Sequence, residues 1–232
     1  MKKLTFLLIA YSILCAVSVR SQENKIDTIK SSSQVMQQLK EDLKAGVDDL
    51  DSAKNLNDWV SASNHLVLIA NKYSDDWAAS YYACYSLTVL SYMEKDAKKK
   101  DAYLDNAEVY LKKAIEDNKP ENDELYVLNA MYDNARIAVQ PMARYKSFGD
   151  LFNQNIEKAT SLNPDNPRIY YLKGNAVYYT PKMFGGGAKN ALVDFEKAES
   201  LYKNESKGDI FKPYWGEVQN QQMLDKCREE IK

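Results

Sequence analysis

Residues 170–174, Tyr-Tyr-Leu-Lys-Gly, are the last of three copies of one short pattern. The copies begin at Tyr82, Tyr126 and Tyr170, and successive copies are 44 residues apart. Each has an aromatic residue, an apolar residue two positions later and a small residue four positions later. Repetition at a fixed period of about 20–50 residues indicates a protein built from repeated helical hairpins.

A second pattern follows each copy of the first. Apolar and small residues recur there with the spacing i, i+4, i+7 in three sets: Ala107/Leu111/Ala114, Phe152/Ile156/Ala159 and Ala191/Phe195/Ala198. Ser63/Val67/Ala70 is a weaker fourth set. Helices approach closely only where a side chain is small, so Ser86, Ala130 and Gly174 are expected at the contacts within each hairpin.

Helical periodicity runs through nearly all of the chain beyond its first 32 residues. It predicts nine helices, at about 33–50, 57–73, 76–94, 100–117, 122–139, 142–162, 167–179, 187–203 and 213–231. Pro213 suits the first turn of the last one. The predicted fold class is all-α, with antiparallel helical hairpins stacked as an α-solenoid. A single hairpin cannot bury its apolar face, but a stack can.

The N-terminus predicts an exported protein. Lys2 and Lys3 precede a mostly apolar run over 4–17, and a small residue, Ser21, precedes Gln22. This is the layout of a signal peptide over residues 1–21, cleaved after Ser21, with cleavage after Ser18 as the alternative. The apolar run is shorter than the ~20 residues that span a bilayer, although a retained anchor is the other interpretation. We expect a periplasmic or secreted protein with no integral membrane segment after cleavage.

Three further regions follow the signal peptide. Residues 22–53 are predicted to be a flexible lead-in and an N-terminal helix, residues 54–212 the helical repeats, and residues 213–232 a C-terminal capping helix. Without residues 1–21 the chain has 28 basic residues, the 31 of the whole chain less three, against 33 acidic ones. Nucleic acid binding depends on neutralising phosphates, so this balance argues against it.

The two patterns together resemble the tetratricopeptide repeat (TPR) family over about residues 77–203. Residues 170–174 match the first helix of that motif, the Ala191 set matches its second helix, and Ala159 followed by Pro164 matches its end. The spacing here exceeds the family's period of about 34 residues, so the predicted solenoid is TPR-like. The resemblance implies a concave groove that holds a peptide or a partner protein.

Candidate binding residues lie on the first helices, next to the repeated tyrosines. The candidates for the groove combine aromatic, amide and charged side chains: Tyr81, Tyr85, Asn129, Asp133, Arg136, Tyr171, Asn175 and Tyr178. A glycine-rich loop supplies a second set: Met183, Phe184, Gly185, Gly186 and Gly187. Such a loop before a helix can bind an anion, or its glycines can simply let a long turn pass close to a neighbouring helix.

Signals for catalysis and for cofactor or metal binding are weak. His65 is the one histidine, and Cys84 and Cys227 are the cysteines beyond the signal peptide. Their spacing fits neither a catalytic triad nor a metal site, so no enzymatic activity, cofactor or metal is expected. The leading hypothesis is therefore an exported TPR-like module that binds a peptide or protein, within a possible envelope complex. The alternative is a periplasmic carrier for a small apolar ligand, working with an envelope transporter.

Overall fold

A computed structural model describes residues 32–117, 121–205 and 208–232. The chain divides into two compact units, residues 1–42 and 43–232. In the first unit the described residues, 32–42, are helical. The predicted signal peptide and the first part of the predicted lead-in lie outside the described residues.

The described residues form nine α-helices and no strand, which confirms the predicted all-α class. The helices are α1 (32–52), α2 (Leu56–Lys72), α3 (Trp77–Met93), α4 (Ala97–Asp117), α5 (Asp123–Val139), α6 (Pro141–Leu162), α7 (Pro167–Tyr179), α8 (Ala188–Tyr202) and α9 (Glu217–Ile231). None of these helices combines the length and the apolar character needed to cross a bilayer.

Consecutive helices pair as hairpins that stack side by side. The pairs are α3 with α4, α5 with α6 and α7 with α8, and α9 packs against α8. The first helices of the pairs also contact one another, α3 with α5 and α5 with α7. They run in parallel, because Tyr81 near the start of α3 bonds to Glu124 at the start of α5, and Tyr92 near the end of α3 bonds to Met131 farther along α5.

The small residues of the repeat lie at these contacts, as predicted. A Cβ atom on Gly174 of α7 would lie 2.7 Å from the ring of Phe195 on α8, so the ring occupies the space that the missing side chain leaves. Ser86, Ala130 and Ala198 have no exposed surface. The hairpins are therefore held together by large side chains that fit against small ones.

Polar side chains determine where several helices begin. Asn55, Asp76, Asn122 and Asn166 each accept a hydrogen bond from a backbone N–H of the first turn of the helix that follows. These bonds satisfy donors that have no partner inside the helix. Pro167, which has no N–H to satisfy, follows Asn166 as the first residue of α7.

The last helix begins later than predicted, at Glu217 instead of Pro213. Gly216 adopts a left-handed backbone conformation (φ 103°), and its carbonyl accepts the bond from Asn220 that opens α9. A left-handed residue cannot continue a helix. Before it, residues 209–212 form a turn closed by a bond from the Lys212 N–H to the Asp209 carbonyl (2.8 Å), and residues 213–215 have no regular secondary structure. Residues 208–216, which we call the strap, cross back to the first helices instead.

Candidate functional site

The strap is bound to one end of the stack by a buried polar network. Trp215 donates from its indole N–H to the hydroxyl of Tyr81 (2.8 Å), which donates to Glu124 (3.1 Å). Arg168 of α7 binds Glu124 at 2.7 Å and Glu205 at 2.6 Å. Burial raises the pKa of Glu124 and the charge of Arg168 opposes the shift. The network thus joins α3, α5, α7 and the C-terminal part of the chain.

Other contacts keep the strap on this end, which we call the strapped end. Tyr82 donates a hydrogen bond to the carbonyl of Ile210 (2.8 Å), and Tyr202 donates to the carbonyl of Trp215 (3.3 Å). Gly216 is needed at this point, because a Cβ there would lie 2.2 Å from the hydroxyl of Tyr202. The strap covers the N-terminal part of the face that α3, α5 and α7 share.

Beyond the strap, the same face carries a cluster of tyrosines. We call it the tyrosine face, and its members are Tyr85, Tyr92, Tyr171, Tyr178 and Tyr179, bordered by Trp215. The ring of Trp215 stacks on Tyr85, with centroids 5.1 Å apart, and meets Tyr171 edge-on at 6.4 Å. Tyr178 and Tyr179 contact each other edge-on at 5.0 Å.

The tyrosine face extends from α3 to α7. Tyr92 has 41% of its surface exposed, but its hydroxyl is turned inward to the carbonyl of Met131 on α5 (3.2 Å). Burial, followed by the nearby phenol of Tyr171, raises the pKa of Tyr92. Burial also raises the pKa of Tyr171 to about 12. These phenols are neutral at physiological pH and can donate hydrogen bonds.

Smaller side chains line the middle of the tyrosine face. On α5, between the tyrosines of α3 and α7, the exposed surface comes from Asn134 and Ala138, which are one helical turn apart. Tyr179 on the far side is 70% exposed. Exposed aromatic surface thus lies on α3 and α7, with Asn134 and Ala138 on the helix between them.

Four of the predicted groove residues lie on this face or next to it. Tyr85 is buried beneath Trp215, while Tyr171, Asn175 and Tyr178 are half-buried on α7. Asn175 donates to the carbonyl of Tyr171 in its own helix (2.8 Å). The Tyr178 hydroxyl donates to Glu230 of α9, which raises the pKa of Tyr178.

The other predicted groove residues are turned elsewhere. Tyr81 is fully buried in the network, Asp133 faces Asn155 of α6 (2.8 Å), and Asn129 is half-buried on α5. Arg136 is buried toward α4, where it binds Asp101 (3.0 Å) and Asp105 (2.6 Å). A location on a first helix was therefore not enough to place a side chain on the shared face, because these helices are enclosed on several sides.

The glycine-rich loop is a tightly bonded turn. The N–H groups of Gly185, Gly186 and Gly187 donate to the carbonyls of Lys182, Pro181 and Val177. A Cβ on Gly186 would lie 1.9 Å from the Thr180 carbonyl oxygen, so the backbone passes too close for any side chain. These N–H groups are committed within the turn, which favours the structural interpretation of the glycines. Met183 and Phe184 project from the tip and are 83% and 72% exposed.

The metal-ligating residue types lie apart from one another. His65 on α2 bonds to Asp49 of α1 (2.7 Å), while Cys84 and Cys227 are buried free thiols. Within the part of the chain that the structure describes, no group of three or more His, Cys, Asp or Glu side chains is arranged to hold a metal ion. Two half-open clefts, of about 350 and 410 Å³, are lined mainly by polar side chains of α8, α9 and the start of α7.

A solved structure is similar to this chain over most of its length. The HusA haemophore from Porphyromonas gingivalis superposes with a TM-score of 0.70 and is 31% identical, over 83% of this chain and 94% of that one. This chain belongs to the HusA haemophore family. No protein-family model and no curated protein sequence matches the chain. The family relationship therefore depends on a similarity that extends over nearly all of HusA.

Sequence reasoning missed three members of the site region: Tyr92, Tyr179 and Trp215. Tyr179 lies one helical turn beyond Asn175, and Tyr92 lies two turns beyond Tyr85, so extending the spacing to the helix ends would have found them. Trp215 offered no local signal, because its contact with Tyr81 joins residues 134 positions apart.

Proposed function

We propose that this protein is an exported carrier of haem or a closely related planar tetrapyrrole. The observation that carries the proposal is the 31% identity to a haemophore over 94% of the length of that protein. A haemophore carries haem. The proposal corresponds to the small-ligand alternative of the sequence analysis, with an open aromatic surface as the binding site. The peptide-binding hypothesis has no comparable support.

The tyrosine face supplies the contacts that a tetrapyrrole needs. A porphyrin ring is flat, aromatic and largely apolar, so it can stack on exposed rings such as Tyr179 and the outer edge of Tyr92. Its carboxylates need donors, and the neutral phenol of Tyr171 can supply an O–H group. Lys226 of α9, whose ammonium lies 4.8 Å from the centre of the Tyr178 ring, adds a positive charge at the border of the face.

The same face suggests that the ring, more than the iron, is recognised. Haem iron is held in proteins by His, Cys, Met or Tyr side chains. His65 is engaged with Asp49, and both free cysteines are buried. A tyrosine binds iron as the phenolate, which the raised pKa values of Tyr92 and Tyr171 disfavour. We therefore expect metal-free protoporphyrin to bind about as well as haem, with no chemical transformation of either.

The test is a titration of the protein with haem, followed by the Soret absorption band. The wild type is expected to saturate at a defined stoichiometry, and the Tyr92→Ala/Tyr179→Ala variant to bind at least about fivefold more weakly, since each aromatic contact contributes about 0.5–1.5 kcal/mol. Native mass spectrometry of protein from the producing cells should detect the bound cargo.

Tyr170→Ala is the matched control. Tyr170 belongs to the same helix as Tyr171, but its ring lies between Lys173 and Lys197 of α8, away from the tyrosine face. This variant is expected to bind haem like the wild type. Failure of the wild type to bind haem or protoporphyrin would refute the carrier function. Unchanged binding by the double variant would instead refute the location.

A further inference from the structure

Three turns between helices lie at the end of the stack opposite the strap, which we call the open end. They follow α3, α5 and α7, which run in parallel, so they line up along one edge. Each turn exposes apolar side chains to solvent: Met93, Met142, Tyr145, Met183 and Phe184, of which Met142 is 100% exposed. We call this set the apolar edge.

The turn that carries Met183 and Phe184 is built to keep them outside. Its short 3-10 helix, Lys182–Phe184, is closed by a bond from Phe184 N–H to the Pro181 carbonyl (2.8 Å). Asn190 of α8 fastens it further by donating to the carbonyl of Gly185 (2.8 Å). A turn bonded this thoroughly presents its apolar tip in a defined position. Exposed apolar surface of this kind marks an interaction site.

Lysines surround the apolar edge. Seven lie on the same three turns or near the starts of the helices that follow: Lys95, Lys98, Lys99, Lys100, Lys146, Lys182 and Lys189. Six of them are exposed, and Lys100 is half-buried. The acidic groups nearby are engaged in local structure. Glu94 accepts bonds from two backbone N–H groups, which lowers its pKa, and Asp96 caps the start of α4.

We propose that the apolar edge docks on the surface of an anionic phospholipid bilayer. Met142, Met183 and Phe184 would enter the boundary between headgroups and acyl chains, and the lysines would lie over the phosphates. Apolar tips with a cationic border favour such a surface, since each lysine near an anionic membrane adds an attraction that salt weakens. The edge adjoins Tyr92 and Tyr179, so a ligand on the tyrosine face would be held beside the membrane.

Vesicle co-sedimentation with no added haem tests this inference separately from the carrier function. The protein, as recovered from the producing cells, is mixed with vesicles of phosphatidylcholine alone or with about a third phosphatidylglycerol. We expect sedimentation with the anionic vesicles, and weaker binding in high salt. The Met142→Ser/Phe184→Ser variant and the Lys182→Gln/Lys189→Gln variant should each lower the partition coefficient about tenfold or more.

The matched control is Leu68→Ser/Val218→Ser, which removes two exposed apolar side chains from the end of α2 and the start of α9, away from the edge. It should sediment like the wild type, and circular dichroism should show the same helicity for all variants. The proposal is overturned if the wild type does not sediment with anionic vesicles, or if an edge variant binds them as strongly as the wild type does. An edge variant whose main change is loss of a dimer in sedimentation equilibrium also overturns it, because the edge would then bind a second copy.

Discussion

The two ends of the hairpin stack differ in how far their aromatic and charged side chains are buried. At the strapped end, Tyr81, Glu124 and Arg168 are buried in a network that Trp215 completes. At the open end, Tyr92 and Tyr179 keep large aromatic surfaces exposed. The polar groups of the strapped end are paired with one another inside the protein. The aromatic rings of the open end remain accessible to another molecule. Stability and binding are therefore expected to respond to different substitutions.

The largest effect is expected from Arg168→Met at the strapped end. Arg168 neutralises Glu124 and Glu205, and all three side chains are largely buried. Removing one partner leaves uncompensated buried charge, so the free energy of unfolding should fall by about 3–5 kcal/mol. Urea unfolding followed by circular dichroism measures the loss.

The corresponding substitution at the open end is Tyr179→Ser, which should change the free energy of unfolding by less than about 0.5 kcal/mol, because its ring is 70% exposed. Equal losses for the two variants would mean that the two ends do not differ in the way described.

An intermediate effect is expected midway between the ends, at Gly174. A Cβ there would lie 2.7 Å from the Phe195 ring, so Gly174→Ala should cost about 1–3 kcal/mol of unfolding free energy. At Gly149 of α6 the nearest atom, on Tyr145, would be 4.0 Å away. Gly149→Ala should therefore stabilise the protein, by up to about 1 kcal/mol. Thermal unfolding of the Gly174→Ala and Gly149→Ala variants measures the difference in stability. A Gly174→Ala variant as stable as the wild type would show that α7 and α8 can move apart.

The last effect is a dependence of stability on pH, and it concerns α5, the helix that both ends share. Burial raises the pKa of Asp133 from 3.8 to about 7. Between pH 3.8 and about pH 7, Asp133 is therefore protonated in the folded state and ionised in the unfolded state. The free energy of unfolding falls as the pH rises through this range. The slope is at most about 1.4 kcal/mol per pH unit.

Asp133→Asn removes this titration while still accepting the bond from Asn155. Urea unfolding of both proteins from pH 5 to pH 8 should show a difference that grows in favour of the variant as the pH rises. A difference that is constant across this range would assign the pH dependence to other groups.

The fold could be predicted from the sequence because its determinants are local. Polar caps and small residues recur at fixed distances, so the helix boundaries were found to within a few residues and Gly174 was assigned to the contact it makes. The start of α9 was misplaced because Pro213 suits a helix start, whereas the conformation of Gly216 depends on the distant hydroxyl of Tyr202.

The site was harder to predict because its residues are not distinguished by spacing. Every residue of α3 from Ala78 to Thr88 is buried, so periodicity does not separate an inner from an outer face there. Tyr81 and Tyr85 were both candidates for the groove, yet Tyr81 donates within a buried network and Tyr85 stacks against Trp215. Asp133 and Arg136 look like groove residues in the sequence but pair with α6 and α4.

The setting of Trp215 has a practical consequence for optical measurements. Its indole is fixed by a hydrogen bond and by two aromatic neighbours, so it should give a strong near-ultraviolet circular dichroism band that only the closed strap produces. Haem absorbs where indoles emit, so a cargo on the neighbouring tyrosines should quench Trp215 fluorescence. With Trp59 and Trp77 replaced by phenylalanine, this one chromophore would report strap opening and cargo loading in the same cuvette.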